Sequence, residues 1–398
     1  VDLPALVINF LITYLVYRGI KESRNFSNVM VVLKLAVVIL VILVGGALIF
    51  SNDLFSNWTP VADDGARSFM PNGFGGVMAA VSGVFFAYIG FDAVSVLAEE
   101  SKNPQRDLPK GMIWSLIICT IVYILLTLVL TGSVLYSNFA GVSDPLAFIF
   151  EKSNLDVPWM QILVAICAVI AMTSVMLVFQ MGQPRIWMSM SRDGLLPKAF
   201  QKIHPRYKTP SFATIITGLL VGIPIIFTDK TFVLDFTSIG TLFAFVLVCG
   251  GVLLIPRKEK QAGRFHLPYF NSKYIFPLIV IACIALIATK WPGYFTELLN
   301  GDFKDYSSAA NANDYLFQTA AVKIATIIFW LAAIVLAILS FLKNLSLIPL
   351  LGLISCLYLL TGMSGSNWKW FFIWFGIGLV VYFMYGYRKS KLAPPEAA

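Results

Sequence analysis

Eleven apolar runs of 15 to 25 residues leave this chain few ways to fold. A bilayer's hydrocarbon core is spanned by about 20 apolar residues in a helix. Backbone groups get no water there, so each run must satisfy its own hydrogen bonds as a helix. The runs are the start to Tyr17, Asn28–Phe50, Phe74–Ala98, Gly111–Leu135, Val157–Met181, Ser211–Thr228, Phe232–Pro256, Ile275–Thr289, Ala320–Leu342, Leu345–Met363 and Trp370–Tyr387. Composition agrees: 58% of the 398 residues are hydrophobic, 13% are charged, and the mean hydropathy is +0.81. An ordinary soluble domain is thereby excluded. The expected class is an all-α, polytopic membrane protein of about eleven helices.

Charge sets an orientation. If the connection from Arg18 to Ser27 is cytoplasmic, alternate loops place most of the 29 Lys and Arg inside, including the basic stretch from Arg185 to Lys208 and the tail Arg388, Lys389 and Lys391. This is the bias expected of cytoplasmic loops. The net charge of +8 therefore reads as topology, and nucleic acid is not an expected partner. The C-terminus falls inside and the protein is expected in the cell membrane. Trp58 and Trp291 fall at the external interface, where tryptophan anchors helices. The chain opens on Val1 and enters the first run almost at once, which reads as the C-terminal portion of a longer protein.

The most informative stretch is Gly83–Glu100, GVFFAYIGFDAVSVLAEE. It begins as an apolar helix, loses helix quality over Phe86–Phe91, and then carries Asp92. Gly76, Gly83 and Gly90 recur every seven residues, which supports close helix packing. Gly90 beside aromatics and an acid supports a break instead, since a carboxylate at this depth needs a partner. A broken helix at membrane depth is tolerated only inside protein or against a cavity, where freed carbonyls and half-helix ends hold charged groups. Asp92 also has a plainer reading as a residue of the cytoplasmic end. The loop Glu99–Lys110 mixes both signs with two prolines, as a gate or a solvated turn would.

Two further runs carry polar residues. Lys34 lies six residues past Asn28, about 9 Å into the membrane. It is either a lysine snorkelling to the interface or a buried amine that gains and loses a proton. Thr173 and Ser174 either bond back to carbonyls of their own helix or face a cation or ammonium group. The segment after Met181, with its SRDG turn, suggests a short amphipathic piece at the membrane surface.

No enzyme signature is present. There is no Gly-rich phosphate loop and no HExxH, and His204 and His266 lie in loops far from any acid pair. The five cysteines fall in apolar runs without CxxC spacing, as buried small hydrophobes would. No cofactor and no metal site are expected.

FFAYIGFDAVSVLAEESKNPQRDLPKG, then two spans and SRDGLLPKAF, resembles the amino acid-polyamine-organocation superfamily, and within it bacterial homologues of the cationic amino acid transporters. The likeness runs from the first residue to about Arg257 and resumes in the last two spans through VYFMYGYRKS. A fourteen-helix version accommodates the polar loop Pro292–Thr319 and its flanking spans. The resemblance implies two inverted five-helix repeats, with the chain starting at the family's fourth helix and lacking about the first three. Residues 1–73 are then the remnant of the first repeat, 74–257 the second repeat, 258–344 an additional helix pair, and 345–398 two final helices and the tail.

By the same resemblance, carbonyls of Phe86, Ala87 and Ile89 accept from a substrate's α-amino group, with Phe86 as a lid and Asp92 beside them. Lys34 on the fifth helix would place its ammonium near Thr173 and Ser174 on the eighth, where a sodium-coupled relative holds its ion. The implied function is proton-coupled transport of amino acids, cationic ones first, with amino acid, protons and membrane lipids as partners. The competing class is a receptor or assembly subunit that keeps the fold without moving solute. A purely structural bundle has no need of ionisable groups such as Lys34 and Asp92 inside its helices.

Overall fold

A computed structural model describes residues 3–19, 24–61, 65, 67–71, 73–94, 101, 103–142, 144–228, 230–255, 268–290, 292–300 and 312–390. Glu99, Glu100, Trp291 and residues 256–267, with His266 among them, lie outside these. The helices are α1 (Leu3–Tyr17), α2 (Arg24–Ser51), α3 (Gly73–Val84), α4 (Pro104–Ser133), α5 (Pro145–Phe148), α6 (Pro158–Arg192), α7 (Ser211–Phe227), α8 (Lys230–Leu254), α9 (Ile275–Lys290), α10 (Tyr294–Asn300), α11 (Ala312–Lys343), α12 (Leu347–Thr361), α13 (Gly365–Val381) and α14 (Tyr387–Lys389). The protein is an all-α, multi-pass membrane protein.

Where they are described, the expected apolar runs lie in helices or a broken helix. Among the described residues seven spans are long and apolar enough to cross a bilayer, an eighth results if α9 and α10, bent by 90°, are one span, and α1, α7 and α12 are shorter apolar helices. Two local expectations need correction. The segment after Met181 is not a separate surface piece, because α6 continues to Arg192 and only a 3-10 turn, Lys198–Gln201, follows. The second half of the Glu99–Lys110 loop is helical: Pro104 opens α4 at a position where its missing N–H costs nothing, with Asp107 in the first turn.

The chain forms two compact units. The first comprises residues 1–77, 90–227 and 382–398. In it α2, α4 and α6 share a core of Val41, Ile49, Val129, Ile149, Phe150, Met160 and Val164. Small residues let these helices meet: a Cβ on Gly45 would run into the Val129 side chain, and one on Gly132 would lie 2.8 Å from Trp58. Trp58 is more than an interface anchor, for its indole Nε1 donates to the Leu128 carbonyl on α4 at 2.9 Å.

Also in this unit, α1 packs on α6 and α7 through polar groups that must find partners in a membrane. Asn9 Nδ2 donates to the Gly218 carbonyl at 3.0 Å, Thr13 Oγ1 to the Asn9 carbonyl at 2.7 Å, and Gln180 Nε2 to Thr13 Oγ1 at 2.9 Å. Asn9 and Gln180 are both buried. A Cβ on Gly218 would lie 2.6 Å from Thr13. Gly218→Val is therefore expected to lower stability by about 1–3 kcal/mol through overpacking. Gly46→Ala on α2, where a Cβ meets nothing, is expected to be silent. Thermal unfolding of the two variants in detergent separates these outcomes.

The second unit comprises residues 78–89 and 228–381. Its main core joins α8, α12 and α13 through Ile239, Leu242, Leu360, Met363 and Phe371. Phe276 and Val280 on α9 pack with Leu350 of α12, and Leu298 on α10 packs with Val322 of α11. The end of α3 joins this unit through Ser82, whose hydroxyl donates to the Leu359 carbonyl at 3.0 Å.

Candidate functional site

The span from Gly76 to Val94 is interrupted at its middle. The α-helical winding of α3 ends at Val84, and Phe85–Tyr88 continues as a tighter 3-10 turn. The expected non-helical segment therefore keeps a 3-10 turn in its first half. Ile89 is extended, at φ −63° and ψ 132°, and Gly90 has φ 122°. That φ is open to glycine and strained for any side chain. The spacing of Gly76, Gly83 and Gly90 left packing and a break in competition. A Cβ on Gly83 would meet nothing within 4 Å, whereas Gly90 adopts a conformation that only a break requires.

The backbone at the break is partly satisfied from within. Ile89 N–H donates to the Phe86 carbonyl at 3.1 Å, and Ala93 N–H to the Gly90 carbonyl at 3.1 Å. Asp92 Oδ1 accepts from Gly90 N–H at 3.3 Å. The carboxylate thus covers a donor exposed by the break. The Ile89 carbonyl receives no donor among the described residues. The Phe86 carbonyl has one donor and keeps a second lone pair.

The two adjacent rings have different settings. Phe85 packs into the core of the second unit and meets Phe245 edge-on at 6.3 Å. Phe86 stays 38% exposed. One ring anchors the turn and the next stands out from it.

Lys34 and Ser174 belong to the first unit. Ile49 near the end of α2 and Met160 near the start of α6 share one core, so the two helices run antiparallel. At 1.5 Å per residue, Lys34 lies about 22 Å from Ile49 and Ser174 about 21 Å from Met160. The two therefore sit at closely similar depth. Lys34 is one heptad before the fully buried Val41 and shares its face of α2, and Ser174 is two heptads past Met160. Both side chains are half-buried, and no hydrogen bond or ion pair reaches either among the described residues.

Thr173 differs from its neighbour. Its hydroxyl donates to the Val169 carbonyl at 2.8 Å, the self-bonded arrangement, and its side chain is exposed. It lies one heptad before Gln180, on the α1-facing side of α6 rather than the α2-facing side. Phe179, one residue before Gln180, brings its ring to 3.7 Å from a Cβ placed on Gly90. Neither the Asn9–Thr13–Gln180 chain nor the Phe179 contact was expected from sequence. The available signal was the pairing of Asn9 and Thr13 four residues apart in an otherwise apolar helix.

These features have counterparts among known proteins. A family model described as amino acid permease matches residues 3–296, and one for the C-terminus of such permeases matches residues 345–390. The chain belongs to the amino acid permease family. It is similar to the branched-chain amino acid permease BcaP of Bacillus subtilis, at 34% identity over 98% of this chain and 65% of that one. It is also similar to a methylthioribose transporter of Bacillus subtilis, at 39% identity over 67% of this chain and 55% of that one. A vacuolar cationic amino acid transporter 4 of Arabidopsis thaliana is 36% identical over 64% of this chain and 41% of its own length. The chain thus spans less than two thirds of each of these relatives. Membership places it with permeases rather than enzymes.

Proposed function

We propose that the protein containing this chain moves amino acids across the cell membrane by alternating access, coupled to protons, with the C-terminus on the cytoplasmic side. The observation that carries this reading is the interruption at Phe85–Gly90 inside a membrane span, where the Ile89 carbonyl receives no donor among the described residues. Membership of the permease family supports the same reading. An α-amino group supplies three N–H donors and suits the carbonyls of Phe86, Ala87 and Ile89. Asp92 holds the turn that presents them. Lys34 carries the proton, with Ser174 at its depth and Thr173 on the adjoining face. The two-repeat organisation, with 74–257 as the second repeat and 258–344 as an added pair, is part of this proposal.

For the side chain of the substrate, the cationic class follows from the likeness to cationic amino acid transporters. A branched-chain substrate is favoured by the match to BcaP over 98% of this chain. Competition of unlabelled amino acids against a labelled one, in proteoliposomes containing the full-length protein, decides between the classes. Absence of uptake of labelled amino acids of either class overturns the reading.

The exposed ring of Phe86 makes a sharper test. Phe86→Ala is expected to weaken apparent affinity about tenfold, equivalent to about 1.4 kcal/mol. Trp114→Ala, at a 62% exposed position on α4, is expected to change little. Equal losses in both would mean that general packing damage, rather than loss of a lid, explains the effect.

A further inference from the structure

One acid of a membrane helix has no place in the reading above. Asp235 lies in the second turn of α8, half-buried, at the end of the second unit where α12 finishes and α13 begins. Its Oδ2 accepts from Asn367 Nδ2 at 3.0 Å. The same Nδ2 donates to Ser364 Oγ at 2.7 Å, and Asn367 is only 3% exposed. The next residue, Trp368, has a buried indole N–H with no hydrogen-bond partner among the described residues. A carboxylate, a buried amide, a hydroxyl and an orphaned donor are thus gathered at one helix–helix contact.

Among the described residues no cation pairs with the acid. On α8 the ionisable residues are Lys230, at its start, and Cys249, fourteen residues on. Cys356 and Tyr358 lie on α12, Tyr88 on the 3-10 turn, and Lys369 on α13. Lys369 is exposed and makes no ion pair among the described residues. A carboxylate in a membrane span without a cation is costly unless it can be neutralised. A metal ion suits the cluster poorly, because the Asn367 amide turns its positive end towards both Asp235 and Ser364. A proton on the carboxylate requires no further ligand.

We propose that Asp235 is a second proton-binding site of this permease, and that its protonation loosens the contact through which Asn367 ties α13 to α8. Charged, the carboxylate accepts a strong hydrogen bond from the Asn367 amide. Neutral, it loses the charge-assisted part of that bond, and α8 and α13 are released from one another. With the C-terminus cytoplasmic, as proposed above, this end of α8 faces outside and external acidity drives the release. The proposal rests on the reading of the chain as a proton-driven permease.

The test uses the full-length protein in proteoliposomes. The pH dependence of Trp368 emission is taken as the difference between the parent protein and Trp368→Phe. A single-proton transition is expected, lost in Asp235→Asn, retained in Asp235→Glu, and retained in Lys34→Ala. In uptake measurements Asp235→Asn, permanently neutral, is expected to stay active at alkaline external pH where the parent slows. A Trp368 transition that persists in Asp235→Asn, or uptake profiles that coincide, overturns the proposal. Absence of amino acid accumulation in every protein, the parent included, overturns the transport reading instead, while the fluorescence titration still decides the role of Asp235.

Discussion

Lys34→Ala is expected to abolish accumulation of amino acid against its gradient under a proton gradient, while exchange of labelled for unlabelled amino acid continues. Truncating Lys34 removes an amine that no acid or hydrogen bond holds among the described residues. A lysine at lipid-facing depth would send its head to the interface. Lys34 instead shares a face with Val37 and Val41, and Val41 is fully buried against the core of α2, α4 and α6. The proposed coupling assigns the transported proton to this amine because an ionisable group inside a span is costly unless it has a use. The accumulation ratio in the variant should fall to about one, the value for uncoupled exchange with no net driving force. If Lys34→Ala still concentrates substrate, or the parent requires sodium, Lys34 is a snorkelling residue and coupling resides elsewhere.

The two hydroxyls expected near Lys34 have different settings in the structure. Sequence gave Thr173 and Ser174 equal standing, because adjacent hydroxyls look alike in a linear chain. In α6 neighbours diverge by about 100°, so one of the pair must turn away from α2. Thr173 does so, and spends its proton on Val169. Ser174→Ala should therefore weaken coupling more than Thr173→Ala, a comparison that helix periodicity alone makes.

Length and hydropathy made the helices legible, since every apolar run must close its own hydrogen bonds in a membrane. The break was legible for the same reason: Gly90 beside Asp92 is an expensive arrangement inside a span unless it has a use. What stayed hidden depended on which face each residue presents. Trp58 read as an interface anchor because its partner, the Leu128 carbonyl, lies 70 positions away. Asn9 and Gln180 are 171 residues apart and meet through Thr13. Asp235 stood in plain view, but its link to Asn367 crosses 132 residues. The extent of α6 was misjudged at Gln183 to Arg192, where polar residues suggested a surface piece although the helix continues.

Gly90→Ala is expected to reduce uptake by more than tenfold without loss of the protein from the membrane. At φ 122° a Cβ is strained by about 1–3 kcal/mol. Space is not the obstacle, for the nearest atom to that Cβ would be Phe179 Cζ at 3.7 Å, an ordinary contact. The substituted chain relieves strain by winding Ile89–Phe91 back towards a helix. That gives the Ile89 carbonyl a donor from its own backbone, and it removes the turn in which Asp92 accepts from the residue 90 N–H. The site for an amino group is then lost, while the span, now more regular, is at least as well suited to lipid. Gly83→Ala is the matched control, since the same methyl group there meets open space in a helix that continues. Uptake and thermal unfolding measured on both variants give a clear decision. Loss of uptake in Gly90→Ala with unfolding unchanged or raised supports a site built on the break, and full uptake in Gly90→Ala would show that substrate does not bind to these carbonyls.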